Sequence, residues 1–371
     1  MYSVMRMLSK FLVTISVCLL MSFGSGSSST LNASFIFGDS LVDGGNNDYL
    51  LTLSKANYPP FGIDLSPHRQ PTGRFTNGRT IADILGQEVG LKNWVPPYLD
   101  PSATGPAVLQ GVNYASGGGG LLKKTGKFFG ASLNLYTQID CYSKTRQDII
   151  STVGRTAALR LLRKEALFSV TIGSNDFINN YLIPILSVPR RAVISPEMFV
   201  ESLISSYRQQ LKRLYYLDAR KILVVNVGPI GCIPYMREQS LSSSTKCFDL
   251  ANQLAENFNS RLKDLVQELS SSLDGSIFVY ANVSSIVSDI IRNYRHYGFE
   301  VADSACCRTA GRYGGLIPCC PKAKICSDRT KYVFWDPYHP TETANILIAK
   351  QLLDGNSNVI FPMNIRQLAQ A

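Results

Sequence analysis

The sequence predicts an α/β protein, a three-layer α/β/α sandwich around a central, mostly five-stranded parallel sheet. Short apolar runs of strand length recur at 35–37, before 113–116, at 166–172, 221–227 and 276–281, bounded by Gly, Asn or Asp. Helix-length stretches with apolar residues at helical spacing lie between them. No shift in composition divides the chain. Strands alternating with helices in one run build a parallel sheet covered on both faces.

The first strand, Phe35-Ile36-Phe37, is broken sharply by Gly38-Asp39, which leaves Ser40 at its C-terminal end, where open α/β sheets place their reactive groups. The Gly/Pro-rich passages 58–62 and 71–79 follow as loops over the mouth of that end, a candidate substrate wall. With no long apolar lid helix beside them, they imply an open site. Thr80 caps a helix carrying Ile81, Ile84, Leu85 and Val89, and Gly90 ends it. A second strand finishes over Asn113–Ser116, and four glycines, 117 to 120, follow. Ala166–Ile172 is the third strand and delivers Gly173-Ser174-Asn175-Asp176 in the same row as Ser40. A helix from Pro196 to about Leu217, with Phe199, Leu203, Tyr207, Leu211 and Leu214 on one face, precedes the fourth strand, Lys221–Val227. A second long stripe, Leu250, Leu254, Phe258, Leu262, Leu265 and Leu269, precedes the fifth, Ser276–Ala281. These stripes are core faces. Pro340 suits the first position of a last helix through Ala344, Ile348 and Leu352.

The chain has 371 residues, 45% apolar and 17% charged, ordinary values for a globular protein with a sizeable core. Arg6 and Lys10, the apolar run Phe11–Phe23 and the small-residue tract 24–29 read as a secretory signal peptide over about residues 1–26. The run is about 13 residues where a membrane span needs about 20. Residues 27–371 then form one domain. Of nine cysteines, Cys18 leaves with the leader, and an even eight in a secreted chain point to disulfides. Zinc is the weaker reading of the cluster Cys306–Cys326, because His339 is the only nearby histidine, and no metal or cofactor is expected. Asn32 and Asn282 lie in N-x-S sequons, candidate glycan sites. The net charge of +10, or +8 without the leader, is dispersed. It suits surface solvation or loose attraction to anionic wall polymers or membrane surfaces, and no nucleic-acid motif accompanies it.

A serine needs partners to become a nucleophile. Among three histidines, His68, His296 and His339, only His339 has a carboxylate three residues upstream in a proline-braced turn, Asp336-Pro337-Tyr338-His339-Pro340. Ser40, His339 and Asp336 fit the roles of nucleophile, general base and the carboxylate that orients the base. The backbone N–H of Ser40, the N–H of Gly117 and the side-chain amide of Asn175 are candidate oxyanion donors, with Gly118 the alternative register of the glycine run. Asp39 points away from Ser40 and reads as a turn cap. The glycine run fails the phosphate-loop spacing, and the G-x-S-x-G elbow is absent.

Four blocks occur in order: Phe37-Gly38-Asp39-Ser40, Gly111-Val112-Asn113-Tyr114-Ala115-Ser116-Gly117-Gly118, Gly173-Ser174-Asn175-Asp176 and Asp336-Pro337-Tyr338-His339. With them the chain resembles a plant-type GDSL esterase/lipase of the SGNH hydrolase superfamily. The resemblance implies a flavodoxin-like sandwich and a secreted esterase acting on small-molecule or lipid acyl esters through an acyl-enzyme. It implies catalytic Ser40, Asp336 and His339, with Ser40, Gly117 and Asn175 as oxyanion donors. Acyl transfer to an alcohol by the same acyl-enzyme, or a catalytically silent wall or carbohydrate-binding protein, are the alternatives.

Overall fold

In the computed structural model, which describes residues 31–65, 70–182, 194–240 and 247–371, strand β1 (Ala33–Gly38) is buried at every position, as its apolar run demands. It pairs in parallel with β2 (Gly111–Asn113) on one side and β3 (Ala166–Thr171) on the other. Strands β4 (Lys221–Val225) and β5 (Ile277–Ala281) extend the sheet in parallel. The five expected strands are all present. A sixth, Ile360–Phe361, closes the edge antiparallel to β5; two residues are too few to show a period in sequence. The leader over 1–26, His68 and Arg190-Arg191 lie outside the described residues.

The strand order, β2-β1-β3-β4-β5 and then the edge, reverses direction between β1 and β3. Such a reversal opens a crevice at the carboxyl ends of the two strands. Ser40 follows β1 there, and Ser174-Asn175 follows β3.

Two helical layers cover the sheet. Helix α1 (Ile81–Glu88) starts at Thr80 as expected, with a capping box in which Thr80 and Asp83 satisfy each other's backbone N–H groups. Helix α2 (Leu135–Val153), capped by Asn134, supplies Tyr142, whose ring packs 5.4 Å from Phe35, 5.8 Å from Phe37 and 5.4 Å from Phe168. Helices α3 (Pro196–Tyr216) and α4 (Asp249–Ser272) lie beside it and bury the stripes expected of them, except Leu250, which is exposed on the first turn of α4, where Ala251 faces the core instead. Helix α5 (Val283–Arg292) and helix α6 (Glu342–Asp354) join α1 on the opposite face. Pro340 does not begin α6, because Thr341 is its cap and Pro340 bridges in extended form to Phe334.

Cysteine pairing departs from the expectation that all eight are bridged. Cys232–Cys247, Cys306–Cys326 and Cys307–Cys319 are disulfides, while Cys141 and Cys320 are unpaired. Parity misled the count, since Cys141 sits on α2 while Cys320 lies in a segment whose other cysteines pair among themselves. The two bridges of that segment brace the turn that follows it. Backbone N–H groups of Cys306 and Cys307 donate to Phe334 O (3.0 Å) and Trp335 O (2.7 Å), and a small core of Phe61, Phe75 and Trp335 packs on the cystines.

Thiol labelling of the denatured, non-reduced protein should therefore modify two cysteines, Cys141 and Cys320. Labelling of none, or of more than two, would contradict this pairing. Replacing Cys307 and Cys319 with serine should lower stability by about 2–5 kcal/mol.

Candidate active site

The turn after β1 and the turn before α6 meet at the crevice. His339 Nε2 lies 2.8 Å from Ser40 Oγ, and His339 Nδ1 lies 2.8 Å from both carboxylate oxygens of Asp336. A carboxylate accepts and does not donate, so it holds the imidazole proton on Nδ1 and leaves Nε2 to accept the Ser40 hydroxyl. Asp336 is 3% exposed and His339 6%. Asp336 Oδ1 also accepts the backbone N–H groups of Tyr338 and His339, both at 2.8 Å, so the i,i+3 spacing folds the carboxylate back onto its own turn. The turn is docked from outside as well. Thr76 Oγ1 donates to Pro340 O (3.0 Å), the N–H of Glu342 donates to Asn77 Oδ1 (2.9 Å), and Phe75 packs 5.2 Å from the His339 ring.

Three donors converge on the cleft beside Ser40. The N–H of Ser40 has no partner among the described residues. Asn175 Nδ2 donates one hydrogen to Gly119 O (3.0 Å) while its Oδ1 accepts from Asn179 Nδ2 (2.6 Å); this fixes the amide and leaves its second N–H toward the cleft it lines. Gly117, the first choice in sequence, does not offer a free N–H: it donates to Asp43 Oδ2 (3.0 Å), which leaves Gly118, the alternative register. Gly118 lines the cleft, adopts φ +80°, and its N–H has no partner among the described residues. Only glycine takes that conformation without strain.

Asp43 was missed in the sequence, although it sets this register. Its Oδ1 accepts the N–H groups of Gly45 and Asn46, both at 2.8 Å, so one carboxylate ties the Ser40 loop to the glycine run. Asp176 does the same beyond Asn175, accepting from Leu121 N (2.8 Å), Leu122 N (3.1 Å) and Thr125 Oγ1 (2.5 Å). The signal for Asp43 was the Asx chemistry of an Asp two or three residues before Gly and Asn, which also reads as an ordinary turn; Asp176, whose partners lie more than fifty residues away, carried no local signal. Asp39 caps its turn as expected, its Oδ1 accepting the N–H of Leu41 at 3.0 Å.

Burial pushes the carboxyls of Asp39 and Asp43 up to about 7 and that of Asp176 up to about 6, the hydrogen bonds they accept offsetting only part of the desolvation. His296 is remote from this site, its ring edge-on to that of Tyr297. Of the two sequons, Asn32 is exposed and donates to Glu165 Oε2, while half-buried Asn282 caps α5 with its Oδ1.

A hydroxyl, an imidazole and a carboxylate in one hydrogen-bonded row, at the carboxyl edge of a parallel sheet with fixed N–H donors alongside, have the chemistry of a serine-dependent acyl hydrolase. Comparison with known proteins identifies the family. Residues 35–352 match the family model described as GDSL-like Lipase/Acylhydrolase. GDSL esterase/lipase At4g16230 of Arabidopsis thaliana is 57% identical over 91% of this chain and 90% of its own length. GDSL esterase/lipase At3g50400, also of Arabidopsis thaliana, is 51% identical over 97% of this chain and 99% of its own. The chain belongs to the GDSL esterase/lipase family and is a carboxylic ester hydrolase with a small-molecule ester substrate.

The raised carboxyls predict how stability depends on pH. In the unfolded chain they release protons near the ordinary 3.8, and in the folded chain near 6 to 7. Between those values the folded state binds more protons, so stability falls as pH rises through the window and levels off above it. The melting midpoint should be higher at pH 5 than at pH 8, and Asp43→Asn should shrink the difference. A wild-type midpoint that rises over the same interval would show that these carboxyls ionise as ordinary ones.

Proposed function

We propose that the chain is a secreted serine esterase in which Ser40, His339 and Asp336 form the catalytic triad. The observation that carries the reading is the unbroken row Asp336–His339–Ser40, with 2.8 Å at each link. As Ser40 Oγ attacks the ester carbonyl, its proton passes to His339 Nε2 and the imidazolium is balanced by Asp336. The carbonyl electrons move to its oxygen, which the N–H groups of Ser40, Gly118 and Asn175 receive. Collapse breaks the ester C–O bond, and the departing alcohol takes the proton from His339. Water then repeats the attack on the acyl-Ser40 carbon, His339 again accepting the proton, and the carboxylic acid leaves with Ser40 Oγ–H restored.

Secretion is supported by the charged, apolar and small-residue tracts of residues 1–26 and by three disulfides, which oxidising compartments favour. Residues 27–371 would then be the mature domain, with Asn32 the better placed of the two glycan sites.

Turnover of a simple aryl ester by point variants tests the triad. Ser40→Ala and His339→Ala should each abolish nearly all turnover, and the double variant should be scarcely worse than either, because one shared step is lost. Asn175→Ala should lower kcat about 10²- to 10³-fold with little change in ground-state affinity. Asp336→Asn, which favours the wrong imidazole tautomer, should cost more than Asn175→Ala. Near wild-type turnover by a folded Ser40→Ala protein would refute the mechanism.

A further inference from the structure

The carboxyl edge of the sheet carries a second opening. Asn226 and Asn282 follow directly from β4 and β5, two and three strands away from β1, so roughly 10–15 Å of sheet separates them from the end that delivers Ser40. Between α4 on one face and α5 and α6 on the other they border a cleft of about 520 Å³, within the range of roughly 300–1,000 Å³ typical of ligand pockets. None of its lining residues belongs to the catalytic cleft.

The floor of this cleft is a closed network. Asn226 Nδ2 donates to Tyr280 Oη and to Asn282 Oδ1, both at 2.9 Å, while Asn226 Oδ1 accepts the N–H of Ser284 at 3.0 Å and the Tyr280 hydroxyl donates to Asn259 O at 3.2 Å. A network satisfied in this way holds one shape. The walls are the opposite case. The carboxylate of Glu256, the guanidinium of Arg292, the amide of Gln351, the hydroxyls of Ser284 and Ser288 and the Nδ2 of Asn282 have no hydrogen-bonding partner among the described residues. Ser284, Ser288 and Arg292 recur at every fourth residue of α5, so one face of that helix is turned to the cleft.

Unpaired donors and acceptors lie side by side here, and that selects the ligand. An anion would face the carboxylates of Glu256 and Asp289, a cation would face Arg292, and an apolar group would strip water from all of these atoms and return no hydrogen bonds. Hydroxyl groups donate and accept at once. We infer that the cleft is a saccharide-binding site, separate from the catalytic cleft, which holds a neutral sugar unit against Glu256, Gln351 and Arg292. This goes beyond ester hydrolysis and does not depend on Ser40 being the nucleophile. The sugar has two sources. A separate polysaccharide held there would tether the enzyme with Ser40 left free, whereas a glycan carried by Asn282, which lies in a sequon and lines the cleft, would fill the same space.

The test is calorimetric titration of neutral tetrasaccharides of glucose, xylose and mannose into the full secreted chain and into Ser284→Ala, which destroys the sequon but keeps the Asn282 cap on α5. If mass analysis finds the peptide containing Asn282 bare, wild type should bind at least as tightly as Ser284→Ala. If it finds a glycan there, only Ser284→Ala should bind, because the chain's own sugar fills the cleft. Glu256→Ala and Arg292→Ala, made in the form that binds, should each weaken binding about three- to tenfold, the size of one lost hydrogen bond. Both residues are exposed and unpaired, so these variants should fold. Hydrogen exchange locates the ligand without any such variant: added protection should fall on residues 282–292, and a saturating tetrasaccharide should leave kcat/KM for an aryl acetate unchanged. No saturable binding of any neutral tetrasaccharide by either protein, equal binding of tetragalacturonate, protection elsewhere, or competition with the aryl ester would each overturn the site.

Discussion

The close approach at Gly38 is the constraint on which the site depends. A Cβ there would lie 2.5 Å from Thr171 O of β3 and 2.5 Å from Val42 Cγ2, closer than any real side chain is accommodated. Without one, β1 ends flush against β3 and turns immediately, and Ser40 emerges at the point where strand order reverses. Gln138 of α2 pins this end, accepting the N–H of Gly38 at 2.9 Å and donating to its carbonyl at 2.8 Å. Ser116 N–H donates to the same carbonyl, so the end of β1 also sets where the glycine run begins. One backbone position therefore places Ser40 and the start of the glycine run.

Buried carboxylates do the corresponding work in the loops. Asp43, Asp176 and Asp336 each accept two or more N–H or O–H groups from segments that have no ladder to satisfy them. A loop at a sheet edge leaves backbone donors unpaired, and an acceptor with two oxygens and several lone pairs gathers them without adding a donor of its own. The cost is desolvation of a charge, visible in the raised carboxyls of Asp43 and Asp176. Hydrogen bonds to backbone N–H groups offset that cost and at the same time give each loop a single shape.

Elements with a period were legible in the sequence, and those without one were not. The five parallel strands and helices α1, α3, α4 and α6 follow from apolar spacing, with Thr80 marking α1 to the residue. The antiparallel edge Ile360–Phe361 was not legible, because an edge strand so short is formed by pairing with β5 and not by its own pattern. At the candidate site, Ser40, Asp336, His339 and Asn175 stood out in the sequence because their residue types are chemically scarce in those contexts, and the fold brings them to one cleft. Gly117 and Gly118 could not be separated in sequence because four identical glycines carry no register; Asp43, which engages the N–H of Gly117, imposes it from outside. The supporting residues Asp43, Gln138 and Asp176 stayed hidden for a related reason. Their partners are backbone groups, which every sequence offers everywhere.

The two halves of the site are held by different means, and this explains where the disulfides fall. Ser40, Gly118 and Asn175 follow directly from β1, β2 and β3, so the sheet itself fixes their spacing. His339 and Asp336 belong to a turn more than 160 residues farther along that no strand of the central sheet delivers; a strand of a separate two-stranded sheet, Tyr332–Phe334 paired with Val301–Ala305, leads into it, and it docks on the loops around Phe75, Thr76 and Asn77. A docked turn lacks the cooperativity of a ladder and is among the first parts of a structure to open. Cys306–Cys326 and Cys307–Cys319 close loops immediately upstream of it, and the N–H groups of Cys306 and Cys307 bond to the strand that leads into it. Covalent bracing thus sits beside the half of the row that the central sheet does not hold, and Cys232–Cys247 lies next to Pro234-Tyr235, whose N–H at Tyr235 donates to Pro337 O of the same turn. All three bridges therefore bear on the placement of His339, while the strand-borne half of the site has none.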